Sequence, residues 1–144
     1  MIGFILTGHG HFSNGLKSAI DMVAGEQPAF EIVPFEGDKA GEYADTLRAA
    51  ITKMRSEQDG VLVFVDLLGG TPFNQSMLVS ADVDNMAVVA GTNLPMLIEL
   101  IMTRSDSSTL DELVEKAVQV GKDGVITMAL PTAGDDEDDE DDEM

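Results

Sequence analysis

Apolar positions follow two rhythms along the chain. Five short segments read as strands: Ile2–Leu6, Phe30–Phe35, Val61–Val65, Met86–Ala90 and Val125–Leu130. Val61–Val65 is continuously apolar, the pattern of a central strand covered on both faces. Pro34 near the end of the second segment marks an edge strand. Between the strands, apolar residues recur at helical spacing. Leu16, Ala19, Ile20 and Val23 share a face of a helix predicted over Ser13–Ala24, with Gly25 as its stop. Tyr43, Leu47, Ala50, Ile51 and Met54 do the same over about Lys39–Glu57. Thr71 before Pro72 reads as an N-cap before the favoured first helical residue, so a third helix is predicted from Pro72 to about Ser80. A fourth covers about Pro95–Thr103. Thr109 and Glu112 have capping-box spacing for a fifth, Leu110–Val120, ended by Gly121.

Strands thus alternate with helices. The predicted fold is α/β and doubly wound: a mostly parallel sheet with helices on both faces and right-handed crossovers. Residues 1–130 show no internal repeat or linker and are read as one domain.

Charge changes the picture only at the end of the chain. The net charge of −19 includes nine consecutive acids, Asp135–Glu143. Without them 18 acids face 8 Lys and Arg, leaving about −10. Residues 131–144 are therefore read as a self-repelling, disordered acidic tail that aids solubility. An acidic body argues against nucleic acid and suits a basic protein partner. The chain has no cysteine, which removes disulfides, thiolate catalysis and cysteine–zinc sites. Its first apolar run is too short, and too soon broken by Gly8, for a signal peptide. No run approaches a membrane span. A cytoplasmic protein is expected.

Candidate chemistry sits where strands hand over to helices. Ligands of open parallel sheets bind at the carboxyl ends of the strands, and helix N-termini there favour anions. Three such loops, Gly8–Phe12, Asp66–Thr71 and Gly91–Leu94, should share one edge. They hold both histidines of the chain, His9 and His11. His9 is the candidate nucleophile toward phosphorus. Asp66, ending the central strand, is the candidate partner that fixes its tautomer and leaves the other ring nitrogen free. Gly10, Gly69 and Gly70 allow close backbone approach to a phosphoryl group, and Thr71 adds a hydroxyl. Read singly, each residue also has a structural role: Asp66 as a turn cap, Thr71 as an N-cap, Gly69-Gly70 as a turn, His11 as an exposed spectator. No cofactor is called for. His9, His11 and Asp66 form an alternative metal set, one ligand short of a structural zinc site. A nucleotide module has less support, because Ser13 stands where a Gly-x-Gly-x-x-Gly turn needs glycine and a Walker lysine is lacking.

The His-Gly turn after the first strand, VDLLGGTPFN at Val65–Asn74 and GTNLPMLIE at Gly91–Glu99 together resemble the IIA component of the mannose family of the bacterial sugar phosphotransferase system (PTS). The resemblance covers about residues 1–130. It implies a phosphohistidine carrier: His9 takes phosphate on Nε2 from the phosphocarrier HPr, with Asp66 bonded to the ring's other side. A IIB protein is the acceptor and acts with membrane IIC and IID subunits. It also implies a homodimer whose last strand, Val125–Leu130, lies antiparallel on the partner's sheet. His11 departs from the pattern and leaves a second phosphorylation site open. An acidic tail follows in place of an Ala/Pro-rich linker and IIB domain, so a free-standing IIA is expected. A related subunit that feeds dihydroxyacetone phosphorylation shares the fold, and the acceptor would separate the two. The sugar is left open.

Overall fold

A computed structural model describes residues 1–131. Four strands and five helices are described, alternating until the last two helices follow one another: β1 (Ile2–His9), α1 (Phe12–Ala24), β2 (Phe30–Phe35), α2 (Ala40–Glu57), β3 (Gly60–Phe64), α3 (Gly70–Ser80), β4 (Met86–Val89), α4 (Leu94–Thr103) and α5 (Leu110–Asp123). The four strands form one sheet in the order β2-β1-β3-β4, and every pairing is parallel. The chain therefore winds outward in both directions from β1 and β3. The crevice above their carboxyl ends is the topological switch point, where such sheets bind ligands.

The two faces of the sheet follow from strand alternation. Ile2, Phe4 and Leu6 of β1 join Leu62 and Phe64 of β3 in a core closed by Ile20, Leu97, Leu100, Leu113 and Ala117 from α1, α4 and α5. Ile5 of β1 joins Val33, Phe35, Val61 and Val63 on the opposite face, under Tyr43, Leu47, Ile51 and Met54 of α2 and Val79 of α3. All five β3 residues are buried, as its unbroken apolar run predicts. The capping box of α5 forms as read: Thr109 Oγ1 accepts from the Glu112 amide at 3.2 Å, and Glu112 Oε1 accepts from the Thr109 amide at 2.9 Å.

Four expectations change, each for a local reason. Strand β1 runs on to His9, because the buried Thr7 hydroxyl is satisfied by the Val33 carbonyl and Tyr43 Oη, and the ladder with β2 continues through His9 and Phe35. Helix α3 starts two residues before Pro72, with Gly69 at the N-cap and Thr71 already inside the helix. Gly69 and Gly70 lie at φ 97° and 85°, conformations glycine adopts freely, so the doublet makes the turn and Thr71 caps nothing. Pro72 is still tolerated, since first-turn N–H groups have no intrahelical partner. Gly121 does not end α5. A Cβ there would lie 2.6 Å from Met96 Cε, so this glycine is a packing contact with α4.

The fourth correction is Val125–Leu130, which is not a strand in the single chain. It has no ladder partner among the described residues, and a strand needs one to pair its backbone groups. Val125, Ile126, Met128 and Leu130 are 72–91 % exposed. The acidic run Asp135–Glu143 lies outside the described residues.

Candidate functional site

The switch point is built from the ends of β1 and β3. Alternation along β1 places Thr7 and His9 on the α2/α3 side of the sheet, and Gly8 on the other. Asp66 follows β3 by two residues. One of its oxygens, Oδ2, accepts from the His9 backbone amide at 2.9 Å and lies 2.9 Å from His9 Nδ1. The other, Oδ1, accepts from the Leu67 amide at 2.9 Å. The Asp66 side chain is 11 % exposed and that of His9 43 %. Burial by itself pushes the Asp66 carboxyl upward. The hydrogen bonds from the His9 amide and ring and from the Leu67 amide outweigh it and hold the group below its ordinary value. A carboxylate at Nδ1 makes that nitrogen the donor and leaves Nε2 with a free lone pair.

Glycine provides the room around this pair. A Cβ at Gly8 would lie 2.9 Å from Asp66 Cγ and 2.7 Å from Phe12 Cδ2, so only glycine admits the carboxylate beside β1. The sequence reading placed Gly8 in the loop without giving it a task; a glycine inside a strand run was the available signal. A Cβ at Gly70 would lie 3.0 Å from His9 Cε1 and 3.1 Å from Nε2. The start of α3 thus faces the free nitrogen. The amides of Gly69, Gly70 and Thr71 lack intrahelical partners and carry the positive end of the helix dipole, and Pro72 has no N–H. Thr71 is half-buried in this turn.

Gly10 is different. Its φ of 57° makes the reversal after His9, but its N–H already donates to the Phe35 carbonyl at 2.6 Å. What it offers is open space, since nothing lies within 4 Å of the position of its missing Cβ. His9, Gly10, His11, Phe35, Glu36 and Gly37 line a cleft of about 620 Å³. His11 sits at the N-cap of α1, 80 % exposed, with Nε2 3.9 Å from Glu36 Oε2. It points to Glu36 and makes no bond to Asp66. Among the described residues no three His, Asp or Glu groups converge as a metal set, so the alternative metal reading lacks its geometry.

Comparison with known proteins meets this geometry from another direction. The sequence profile of the family described as "PTS system fructose IIA component" (EIIA-man) matches residues 3–118. The chain belongs to this IIA family. Its members are phosphotransfer components of the sugar PTS. The chain is similar to the mannose-specific EIIAB component of Escherichia coli K12, at 35% identity over 125 residues, 86% of this chain and 38% of that protein. It therefore spans about two fifths of that relative's length. It is similar to the fructose-specific EIIA component of Bacillus subtilis 168, at 34% identity over 78% of this chain and 77% of that one. Among solved structures, the mannose/sorbose-specific IIA subunit from Enterococcus faecalis superposes with a TM-score of 0.79 at 32% identity, covering 90% of this chain and 96% of the other. The α/β fold of this IIA chain is thus that of solved PTS IIA proteins.

Proposed function

We propose that this IIA chain carries a phosphoryl group on Nε2 of His9, taking it from HPr and passing it to a IIB protein during sugar uptake. The observation that carries the reading is the Asp66 clamp: one carboxylate oxygen holds both the amide and Nδ1 of His9, while Nε2 faces the start of α3 across Gly70. The Nε2 lone pair attacks phosphorus. The P–N bond to the donor histidine breaks, and its electron pair leaves with the donor's imidazole. Nδ1 keeps its proton against Asp66, and the ring's new positive charge lies beside that carboxylate. The Gly69-Gly70 turn, the first amides of α3 and the Thr71 hydroxyl receive the phosphoryl oxygens, while Gly10 contributes approach space. Transfer to IIB is the same displacement with His9 as leaving group. Such transfers need positioning and charge placement more than covalent help.

A protein donor also needs a docking face. Leu67 and Leu68, 57 % and 81 % exposed, stand directly after Asp66. They offer apolar contact beside the reacting nitrogen. Among the described residues no helix is long and apolar enough to cross a membrane; from its membership of the IIA family we infer that the chain works in the cytoplasm. We also infer a homodimer. Ile126, Met128 and Leu130 alternate as in a half-buried strand, and β4 is an edge of the sheet. An antiparallel exchange onto the partner's β4 would pair both.

The experiment is incubation with phosphoenolpyruvate, enzyme I and HPr, followed by intact-mass and phosphopeptide analysis at alkaline pH. One phosphate on the His9 peptide, absent from His9→Ala, is the expected result. Label on His11 overturns the residue, and no label with active HPr overturns the function. Sedimentation of the chain with and without residues 125–130 tests the dimer.

A further inference from the structure

The Asp66 bond holds one corner of the His9 imidazole. A hydrogen bond tolerates tens of degrees of misalignment, and 43 % of this side chain is open to solvent. In-line attack at phosphorus is far less tolerant. Something else must restrain the tilt of the ring, and the far side of β1 supplies it.

Phe35 is the last residue of β2 and stands opposite His9 in the ladder. Its ring meets the imidazole edge-on, with centroids 5.9 Å apart and planes at 63°. Its carbonyl accepts the Gly10 amide. Phe35 therefore touches both the reacting ring and the backbone that reverses after it. It is itself braced: the Tyr43 ring of α2 lies 4.8 Å away at 44°. Tyr43 Oη and Thr7 Oγ1 are 2.6 Å apart, and Thr7 also bonds the Val33 carbonyl. Thr7 has a single hydroxyl proton, and it goes to Val33. Tyr43 must then be the donor to Thr7. This requires a protonated phenol, and burial pushes the Tyr43 phenol up to about 12. The brace is thus fully hydrogen-bonded and intact across the neutral range.

We propose that Phe35 is a positioning residue for His9, its ring locked by Tyr43 and Thr7 so that the imidazole keeps Nε2 directed at the phosphoryl site. Phe35 acts through the geometry of His9, whose ring it meets edge-on. A mere core role would predict lost stability with no change at the ring. A positioning role predicts a change at the ring in a protein that remains folded.

This inference rests on His9 as the acceptor, so its test includes a readout that needs no phosphate. The ring ¹⁵N shifts of His9 in the free protein report which nitrogen carries the proton and how uniquely. In Phe35→Leu those shifts should move away from their wild-type values, as the untethered ring tilts and its Nδ1 bond to Asp66 lengthens. The single-turnover rate from phospho-HPr should fall roughly tenfold, with the HPr concentration at half-maximal rate unchanged. Phe35→Tyr, which keeps the aromatic edge, should restore most of the rate. Tyr43→Phe removes only a hydroxyl and should slow transfer about two- to threefold in a folded chain. Val33→Ala, on the same strand and away from the imidazole, is the control for stability alone. Unchanged ¹⁵N shifts and rate in Phe35→Leu overturn the inference, as does a loss matched by Val33→Ala. If Phe35→Leu does not fold, an unchanged rate in Tyr43→Phe overturns it. Absence of phosphate on His9 in the wild type would instead remove the function reading, and the ¹⁵N comparison would still judge the brace.

Discussion

At the amino end of the sheet, Arg104 donates to the carbonyls of Ile2, Pro28 and Ala29 and lies 4.1 Å over the Phe4 ring. The N-terminal ammonium pairs with Asp59 at 3.1 Å, and Asn85 Nδ2 donates to the Asp59 carbonyl. At the carboxyl end, Gly10, Gly69, Gly70 and Gly91 sit at positive φ, and one half-buried carboxylate holds an exposed imidazole. The same four strands therefore end in a stapled edge and an open one. The amino end also has a hollow, about 440 Å³, but Asp59, Asp106 and Asp111 line it with no histidine or cation. Such a surface repels a phosphoryl group. Cavity size does not distinguish the ends. Backbone freedom, sign of charge and a free nitrogen do.

Three substitutions would break or sharpen this contrast. The largest effect belongs to the stapled end. Arg104→Met should cost roughly 2–4 kcal/mol in urea unfolding, because buried carbonyls lose a charged donor. Burial pushes this guanidinium down to about 10, so it is charged at neutral pH and the loss applies there. Phosphoryl transfer by the folded fraction should be unchanged, and a rate loss beyond the unfolded fraction would blur the two ends.

Gly70→Ala should do the reverse. Its methyl group would press on His9 Cε1 and Nε2 at about 3 Å, at a φ of 85°. Transfer should slow roughly a hundredfold in quenched-flow measurements, while stability falls by about 1–2 kcal/mol from the left-handed conformation. A variant that transfers normally would mean that Nε2 is not the reacting atom.

Asp66→Asn should give the smallest change, roughly a tenfold slower transfer, since an amide no longer fixes one tautomer. It also carries a pH signature. The native carboxyl is held below its ordinary value. Its stabilising contribution is therefore complete above the unfolded value, about pH 4, and disappears as pH falls through the lower folded value. The stability gap between wild type and Asp66→Asn should narrow as pH falls below about 4. A gap that widens in acid would contradict the Asp66 bonding.

Much of this was legible in the chain because it depends on near neighbours. The β3 run and the Thr109–Glu112 box each depend on residues a few positions apart. The pairing of His9 with Asp66 followed from one topological rule, that parallel strands present their carboxyl ends together. The misreadings share a cause. From the sequence Thr71 reads as a cap and Gly121 as a stop because both residue types favour those places. The deciding partners were the φ values at Gly69 and Gly70 and the closeness of Met96. Phe35 and Tyr43 read as ordinary core, and no local pattern ties either to His9. Nothing near Arg104 signals that its guanidinium spans three carbonyls more than seventy residues away.

The sequence by itself determined the alternation of elements, the central place of β3 and the chemical types at the switch point, since periodicity and residue chemistry are local properties. The tertiary structure alone decided how closely Asp66 holds the His9 ring, which glycines leave room beside it and what braces it. Those depend on distances between residues up to about sixty positions apart, which only the packed sheet sets.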